Sequence, residues 1–593
     1  MEATRMGTPN GLTGTTAAGG HAEPAAIDIA IRRLQERKHD WALLPISEKV
    51  HHLEQMRKAA VRLAAQWVKK SAVMAGLPAD SDWLGELWMG GPWALLWGID
   101  RYRETLSALA AGTDPLALTK GSRITGSGQL AVNVFPLHPR DHLLISGVRA
   151  EVWMKPGVTQ QALADSVASF YRQKQPQGKV SLVLAAGNVS SIAPMDMLHK
   201  LLAEGSVCLV KMNPVNDGIG PILEEIFAPL HAYGFVDFVY GGPDVGKYLV
   251  QHPGIDEIHM TGSIHTHDAI VFGSGPEGEA RKAANEPFLD KPISSELGNV
   301  TPTIVVPGPW TEADLRFQAE NIATSKLNNG GFNCVASQVL VTPREWAQTD
   351  KLLYHLRTVL RGLPSRHPYY PGAEDRREQA ASHAHAERLG DQPGDPVLIP
   401  GLDPTADEAA FREEFFCTAL AETRLPGRDP ADFLRRAVVF CNERLWGTLA
   451  ANIIVHPATI ARRRRAFEQA LADLHYGSIN VNIWAASGFM LSQTSWGGYP
   501  GHTLNSAGSG IGLVHNTFLF DQAQKSIVYG NFTPFPRNLH PRYLRHGERH
   551  ILPKPPWFVT NRQGTAVARQ LFYFTADQQA WRLPGLFFHA LRG

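Results

Sequence analysis

Three short stretches of this 593-residue chain combine residue types that can do chemistry. Asn328-Asn-Gly-Gly-Phe-Asn-Cys334 is a glycine-rich loop delivering one cysteine at a helix–strand boundary. A lone thiol among glycines can be approached from two sides, and its thiolate is a strong nucleophile. Ser295-Glu296-Leu297-Gly298-Asn299 puts a carboxylate in a glycine turn just before a strand, a candidate general base. LAAGNVSSIAPMDMLHKLLAEGSVCLVKMNP (184–214) is a strand–turn–helix–strand unit with Asn188 at the turn, where an amide can donate to developing negative charge. Each has a plain structural alternative when taken alone. Cys334 reads as a buried thiol, Glu296 as a capping or surface carboxylate, Asn188 as a turn residue.

In order and spacing the three stretches resemble the aldehyde dehydrogenase superfamily, with its turn asparagine, Glu-Leu-Gly-Gly base motif and Gly-x-x-Cys nucleophile loop. Further matches are Met260-Thr-Gly262-Ser263, similar to the turn that opens the helix facing the cofactor pyrophosphate, and Glu413-Glu414-Phe415-Phe416, similar to the segment contacting the nicotinamide ribose. Asn480-Val-Asn482 and Gly508-Ser-Gly510 resemble the closing motifs of the catalytic domain. The resemblance spans roughly residues 30–535 and rests on the ordered set of motifs.

It implies oxidation of an aldehyde to the carboxylic acid with NAD or NADP. Cys334 would form a thiohemiacetal and then a thioester, with the Asn188 amide and the Cys334 N–H as oxyanion donors and Glu296 as base for the hydrolytic water. Lys211 and Glu414 would anchor the cofactor riboses, Gly262 and Ser263 the pyrophosphate, and Phe416 the nicotinamide side. A solvated lysine and a helix-start glutamate are the plain readings of Lys211 and Glu414. Trp93, Trp97, Phe332, Trp484, Phe489 and Trp496 fall in segments resembling the substrate channel, which suits a hydrophobic or aromatic aldehyde. The partner is a small-molecule aldehyde, and a homodimer or homotetramer is expected.

The chain also departs from the family. Ala-Gly precedes Asn188 in place of Pro-Trp, Pro214 stands where a ribose-gripping glutamate is common, Asn299 replaces a glycine and Phe332 a glutamine. Without the glutamate the choice between NAD and NADP is open. The nearest rival is a CoA-acylating dehydrogenase or fatty acyl reductase on the same fold, which Glu296 argues against; a non-catalytic scaffold is the more distant alternative.

The elements that must position these residues follow from periodicity. Residues 26–112 read as helical, with Val50, Leu53, Met56, Ala60, Leu63 and Trp67 three or four apart. From 125 to 160 alternation predicts antiparallel strands. From 178 onward short apolar runs alternate with helical patterns, a β-α-β-α order that implies a doubly wound α/β unit. The expected fold is therefore a Rossmann-like cofactor domain (26–124 and 161–296), an α/β catalytic domain (297–514) and small antiparallel oligomerisation strands (125–160 and 515–540). Residues 1–25 read as a disordered leader, 273–292 as a surface insertion, 363–407 as a long surface loop and 541–593 as an extension of unknown role. From 521 onward ten Lys/Arg face three acids. That basic, aromatic tail could cap the substrate entrance or touch an anionic membrane, with packing on its own or a neighbouring subunit preferred.

Composition excludes other classes. Four cysteines without a C-x-x-C pair cannot form a disulfide framework, and a net charge of +1 gives no nucleic-acid footprint. No apolar run approaches the ~20 residues of a membrane span, and a cytoplasmic location is expected. Gly273-Ser-Gly275-Pro-Glu-Gly278 matches the dinucleotide fingerprint, but Pro276 and a loop-like setting make it a chance match. The pairs His265/His267 and His383/His385 lack convergent partners, so no metal is expected.

Overall fold

Two sheets dominate the protein, whose computed structural model describes residues 23–593. Most of the 1–25 leader lies outside the described residues, and the first helix already begins at Pro24. Helices Pro24–Leu43, Ile46–Met74 and Ala94–Ala110 form an N-terminal layer. In the second of them Leu53, Met56, Ala60, Leu63 and Trp67 are buried and Val50 is half-buried, as a three-to-four spacing requires.

The first sheet has six strands in the order Gly510–Ile511, Ile293–Leu297, Glu257–Gly262, Val180–Leu184, Val207–Lys211 and Val236–Val239. Only the first pairing is antiparallel. Its inner strands are apolar because both faces are covered by helices. Lys211 and Gly262 end their strands, Glu296 stands one residue from the end of its own, and Asn188 is in the turn after a fourth. All of these face the carboxyl edge, where open parallel sheets bind ligands.

The second sheet runs through eleven strands. Its parallel part is Ala523–Tyr529, Ser478–Val481, Ala450–Ile454, Thr301–Val305, Ser337–Pro343, Ala419–Leu425 and Val397–Leu402. Ser122–Ile124, Leu130–Phe135 and Arg149–Met154 extend it as antiparallel strands beside Ala523–Tyr529. The expected oligomerisation strands are therefore no separate sheet. Ala523–Tyr529 is paired on both sides within one chain, and Lys525 on it donates to the carbonyls of Leu471, Ala472 and Leu474 at the end of helix Arg464–Asp473.

One expectation needs correction, the long loop over 363–407, and two other segments take definite form. The 273–292 stretch is helix Gly275–Ala284, started by proline at its first turn and ended by Asn285 in a left-handed conformation. Residues 363–407 contain helix Ala373–Ala381 and strand Val397–Leu402, whose apolar Val397-Leu398-Ile399 run was masked by flanking Pro and Gly. The tail is ordered and packs on its own chain through helices Gly564–Asp577 and Leu583–Ala590. Among the described residues no helix is long and apolar enough to cross a membrane.

Replacing Lys525 by Met orphans three helix-terminal carbonyls in a buried setting. We expect a loss of about 2 kcal/mol, seen as a melting temperature several degrees lower; an unchanged melting temperature would show that the lysine is dispensable.

Candidate active site

Helix Glu312–Leu327 opens with a reciprocal cap between Thr311 and Asp314 and ends where the chain turns left-handed at Asn329, Gly330 and Gly331 (φ 54°, 66° and 82°). At Gly331 the requirement is also steric, because a Cβ there would lie 2.5 Å from the Cys417 carbonyl oxygen. The turn leaves Cys334 on the short stretch before strand Ser337–Pro343, half-buried at the meeting of the two sheets.

The loop is latched from the other sheet. The Asn188 Nδ2 donates to the Phe332 carbonyl at 2.9 Å, and the Asn329 Nδ2 donates back to the Asn188 carbonyl at 2.9 Å. Tyr369 Oη donates to the Asn188 carbonyl (3.2 Å) and to Asn329 Oδ1 (2.9 Å). Behind them the Asn329 backbone N–H donates to Glu86 Oε2 at 2.9 Å, and Glu86 pairs with Arg366 at 2.7 Å, both side chains buried.

Glu296 is buried, and its Oε2 accepts the Trp496 indole N–H at 3.0 Å. Trp496 is held against the buried His515 ring (9° between planes) and edge-on to Phe489. Burial pushes the Glu296 carboxyl up to about 7, and nearby Asp196 adds to the rise against the hydrogen bonds from Cys334 and Trp496. The Cys334 thiol is raised well above its ordinary value, first by burial and then by the Glu296 charge beside it. Its own backbone N–H points to the sulfur. The resting pair is thus a thiol held protonated beside a carboxyl that burial has made a stronger base than an exposed one.

Two cavities meet at this pair. One, of about 1320 Å³, is lined by every residue expected to bind the cofactor: Lys211, Gly262, Ser263, Glu414 and Phe416. Ser263 Oγ caps helix Ile264–Val271 by accepting the Thr266 N–H, and its first residues line the space. At Gly298 a Cβ would lie 2.0 Å from a Glu414 carboxylate oxygen, so a side chain there would displace Glu414. Glu414 is raised to about 8 by burial despite the Asn299 N–H beside it. Phe416 has a positive φ of 41° and packs on Tyr370, while Arg376 donates to its carbonyl at 3.2 Å. The room, the helix N-terminus and the glycine-lined wall fit a dinucleotide.

The other cavity, of about 190 Å³, is largely apolar. Cys334, Glu296 and Asn188 line both cavities. Trp93, Trp484, Phe489 and Trp496 line the apolar one as expected. Trp97 and Phe332 do not line it. Trp97 is fully packed, donating to the Leu491 carbonyl and Gln493, and Phe332 stacks on Tyr370 beside Phe416.

Glu86, Arg366, Tyr369 and Asn329 were not singled out from sequence, although Asn329 stands inside the quoted loop. Nor was Arg281, which the 275–284 helix brings to the larger cavity. Of the histidines, His265 lines that cavity and the buried His267 meets Asp268. Among the described residues no three His, Cys, Asp or Glu side chains converge to hold a metal.

Residues 150–386 match the model of the aldehyde dehydrogenase family. The chain is 29% identical over 210 residues to an N-succinylglutamate 5-semialdehyde dehydrogenase of Sphingopyxis alaskensis, covering 35% of this chain and 39% of that protein. It is 25% identical over 262 residues to aldehyde dehydrogenase family 3 member F1 of Arabidopsis thaliana, covering 41% and 50%. The chain thus matches half or less of these relatives' length. Solved structures share the fold over most of both chains. Aldehyde dehydrogenase C of Pseudomonas syringae, a mutant complexed with NAD+ and octanal, aligns with a TM-score of 0.58 at 15% identity, covering 87% of this chain and 90% of that one. A Mycobacterium tuberculosis aldehyde dehydrogenase complexed with NAD+ gives 0.57 at 19% identity, covering 85% and 90%.

Removing Glu86 tests the latch. Glu86→Ala leaves a buried guanidinium and the Asn329 N–H unpaired, which should destabilise by about 3 kcal/mol and increase protease cutting in the 328–334 loop. Cutting and melting like the wild type would show that the pair does not hold the loop.

Proposed function

The chain belongs to the aldehyde dehydrogenase superfamily, and from that premise we propose that it oxidises a hydrophobic aldehyde to the carboxylic acid with NAD or NADP. The observation that carries the reading is the placement of Cys334, Glu296 and Asn188 on the wall of two cavities at once. A thiol so placed reaches an aldehyde from the apolar side while the dinucleotide lies on the other.

Glu296 takes the Cys334 proton, which burial would otherwise retain, and the sulfur adds to the aldehyde carbon. One Asn188 N–H is engaged by the Phe332 carbonyl. The other, with the Cys334 N–H, meets the new oxyanion. Lys211, Gly262, Ser263, Glu414 and Phe416 would hold the cofactor, which when bound would supply the hydride acceptor. The acyl group then left on Cys334 is a thioester, and Glu296 removes a proton from the water that attacks it. The acid leaves and the thiol is restored, so aldehyde, water and oxidised cofactor give acid, reduced cofactor and a proton. Trp496 holds the carboxylate in place for both transfers. A buried base beside the sulfur supports hydrolysis over transfer to coenzyme A. Pro214 on the cofactor wall leaves no carboxylate there to repel a 2′-phosphate, which is compatible with either cofactor.

Stopped-flow formation of reduced cofactor tests these roles. Cys334→Ala should abolish oxidation of every aldehyde, and residual turnover near wild type would refute the nucleophile. Glu296→Gln should give one turnover and then stall; steady turnover at the wild-type rate would remove Glu296 from deacylation.

The base must be ionised to act, so steady-state turnover should fall as pH drops through about 7, following the raised Glu296 carboxyl. A deacylation rate flat between pH 5.5 and 8.5 would contradict that assignment.

A further inference from the structure

We propose that the C-terminal segment is the outer wall of the substrate cavity and selects a long, uncharged aliphatic aldehyde. The proposal rests on the aldehyde-oxidising reading above and adds the class of substrate.

One continuous cavity runs from Cys334 and Glu296 to the last helix of the chain. Ile551, Leu552, Val567, Leu571, Leu586 and Phe587 line its far part, all from the segment that lies outside the family resemblance. That segment is fixed to the N-terminal helices rather than lying loose. Trp88 packs on Phe572 with ring centroids 5.3 Å apart, and the Trp93 indole donates to Thr575 Oγ1 at 3.1 Å. The Gly85 N–H donates to Thr565 Oγ1 at 3.0 Å, and Arg57 Nη2 donates to the Ala576 carbonyl at 2.8 Å. His589 on helix Leu583–Ala590 bonds Gln563 at 2.7 Å, closing the last helix onto the one before it.

Charge decides the class of substrate. Lys554 is the one cationic side chain on the cavity wall among the described residues, and Glu320 already pairs with it at 3.0 Å. Glu86 on the same wall is taken by Arg366. A semialdehyde would bring a carboxylate to the far end with no free cation to receive it, at a large desolvation cost. An alkyl chain needs no partner there and gains with each methylene that leaves water. The polar groups that do line the cavity, Asn188, Asn329 and Tyr369 among them, belong to the latch at the Cys334 end.

Calorimetric titration of the full-length protein with straight-chain carboxylates, from butanoate to tetradecanoate, reads the cavity without catalysis. Affinity should rise about three- to fourfold per methylene. Dodecanedioate should bind at least about tenfold more weakly than dodecanoate. Leu571→Trp and Leu586→Trp, each filling the outer part, should lower the ratio of tetradecanoate to butanoate affinity about tenfold or more. Leu571→Ala, a milder change, should flatten the ladder at its long end if the tryptophan variants do not fold. An affinity independent of chain length, or dodecanedioate binding as well as dodecanoate, would overturn the proposal. A steep ladder in a protein that reduces no cofactor with any aldehyde would leave the cavity assignment standing and defeat the oxidation reading. Propanal oxidation with a flat ladder would do the reverse.

Discussion

The crossed side-chain amide hydrogen bonds between Asn188, on a turn of one sheet, and Asn329 and Phe332, on a loop of the other, are the seam on which the site depends. Each sheet alone presents only part of the chemistry. The six-stranded sheet carries Glu296 and Asn188 at its carboxyl edge, and the eleven-stranded sheet carries Cys334 on the loop entering Ser337–Pro343. A shift along the seam would move the Cys334 thiol relative to the Glu296 carboxyl beside it. The seam is backed by a buried ion pair, Glu86–Arg366, drawn from segments 280 residues apart, and by Tyr369 on the loop that follows Arg366. Structural rigidity and proton chemistry therefore converge on one small region.

Burial does two opposed things there. It makes the thiol harder to ionise, and it raises the carboxyl beside it to about 7, a stronger base than an exposed carboxylate. Raising Glu296 from its ordinary value to about 7 corresponds to a cost of about 3 kcal/mol for its charged form. The Trp496 hydrogen bond recovers part of that cost and fixes the direction in which the carboxylate faces. The same exclusion of water makes the N–H donors around Cys334 more effective toward an oxyanion.

What could be read from sequence divides along the range of the interactions. The nucleophile loop, the base turn, the Asn188 turn and the cofactor residues are local patterns, each within a few residues, and the structure gathers them around two adjoining cavities. The parallel strands from 180 to 262 were legible because buried strands and amphipathic helices alternate with different periods. The latch was not legible, because Glu86, Arg366 and Asn329 acquire their roles only through contacts between distant segments. Strand Val397–Leu402 was hidden by the Pro and Gly around it, and Trp97 and Phe332 showed the same aromatic character whether they lined a channel or filled a core. The closing of Ala523–Tyr529 between two strands of its own chain is a register choice between remote segments, which local periodicity does not encode.

The central claim is that Cys334 carries the acyl group and Glu296 releases it. Intact-mass and peptide mass spectrometry of Glu296→Gln, quenched after mixing with an aldehyde and oxidised cofactor, tests it directly. The account predicts one acyl adduct per chain, on the peptide containing Cys334, forming only when cofactor is present. An unmodified Cys334 peptide, or an adduct on another residue, in a protein whose wild type oxidises the same aldehyde would contradict it.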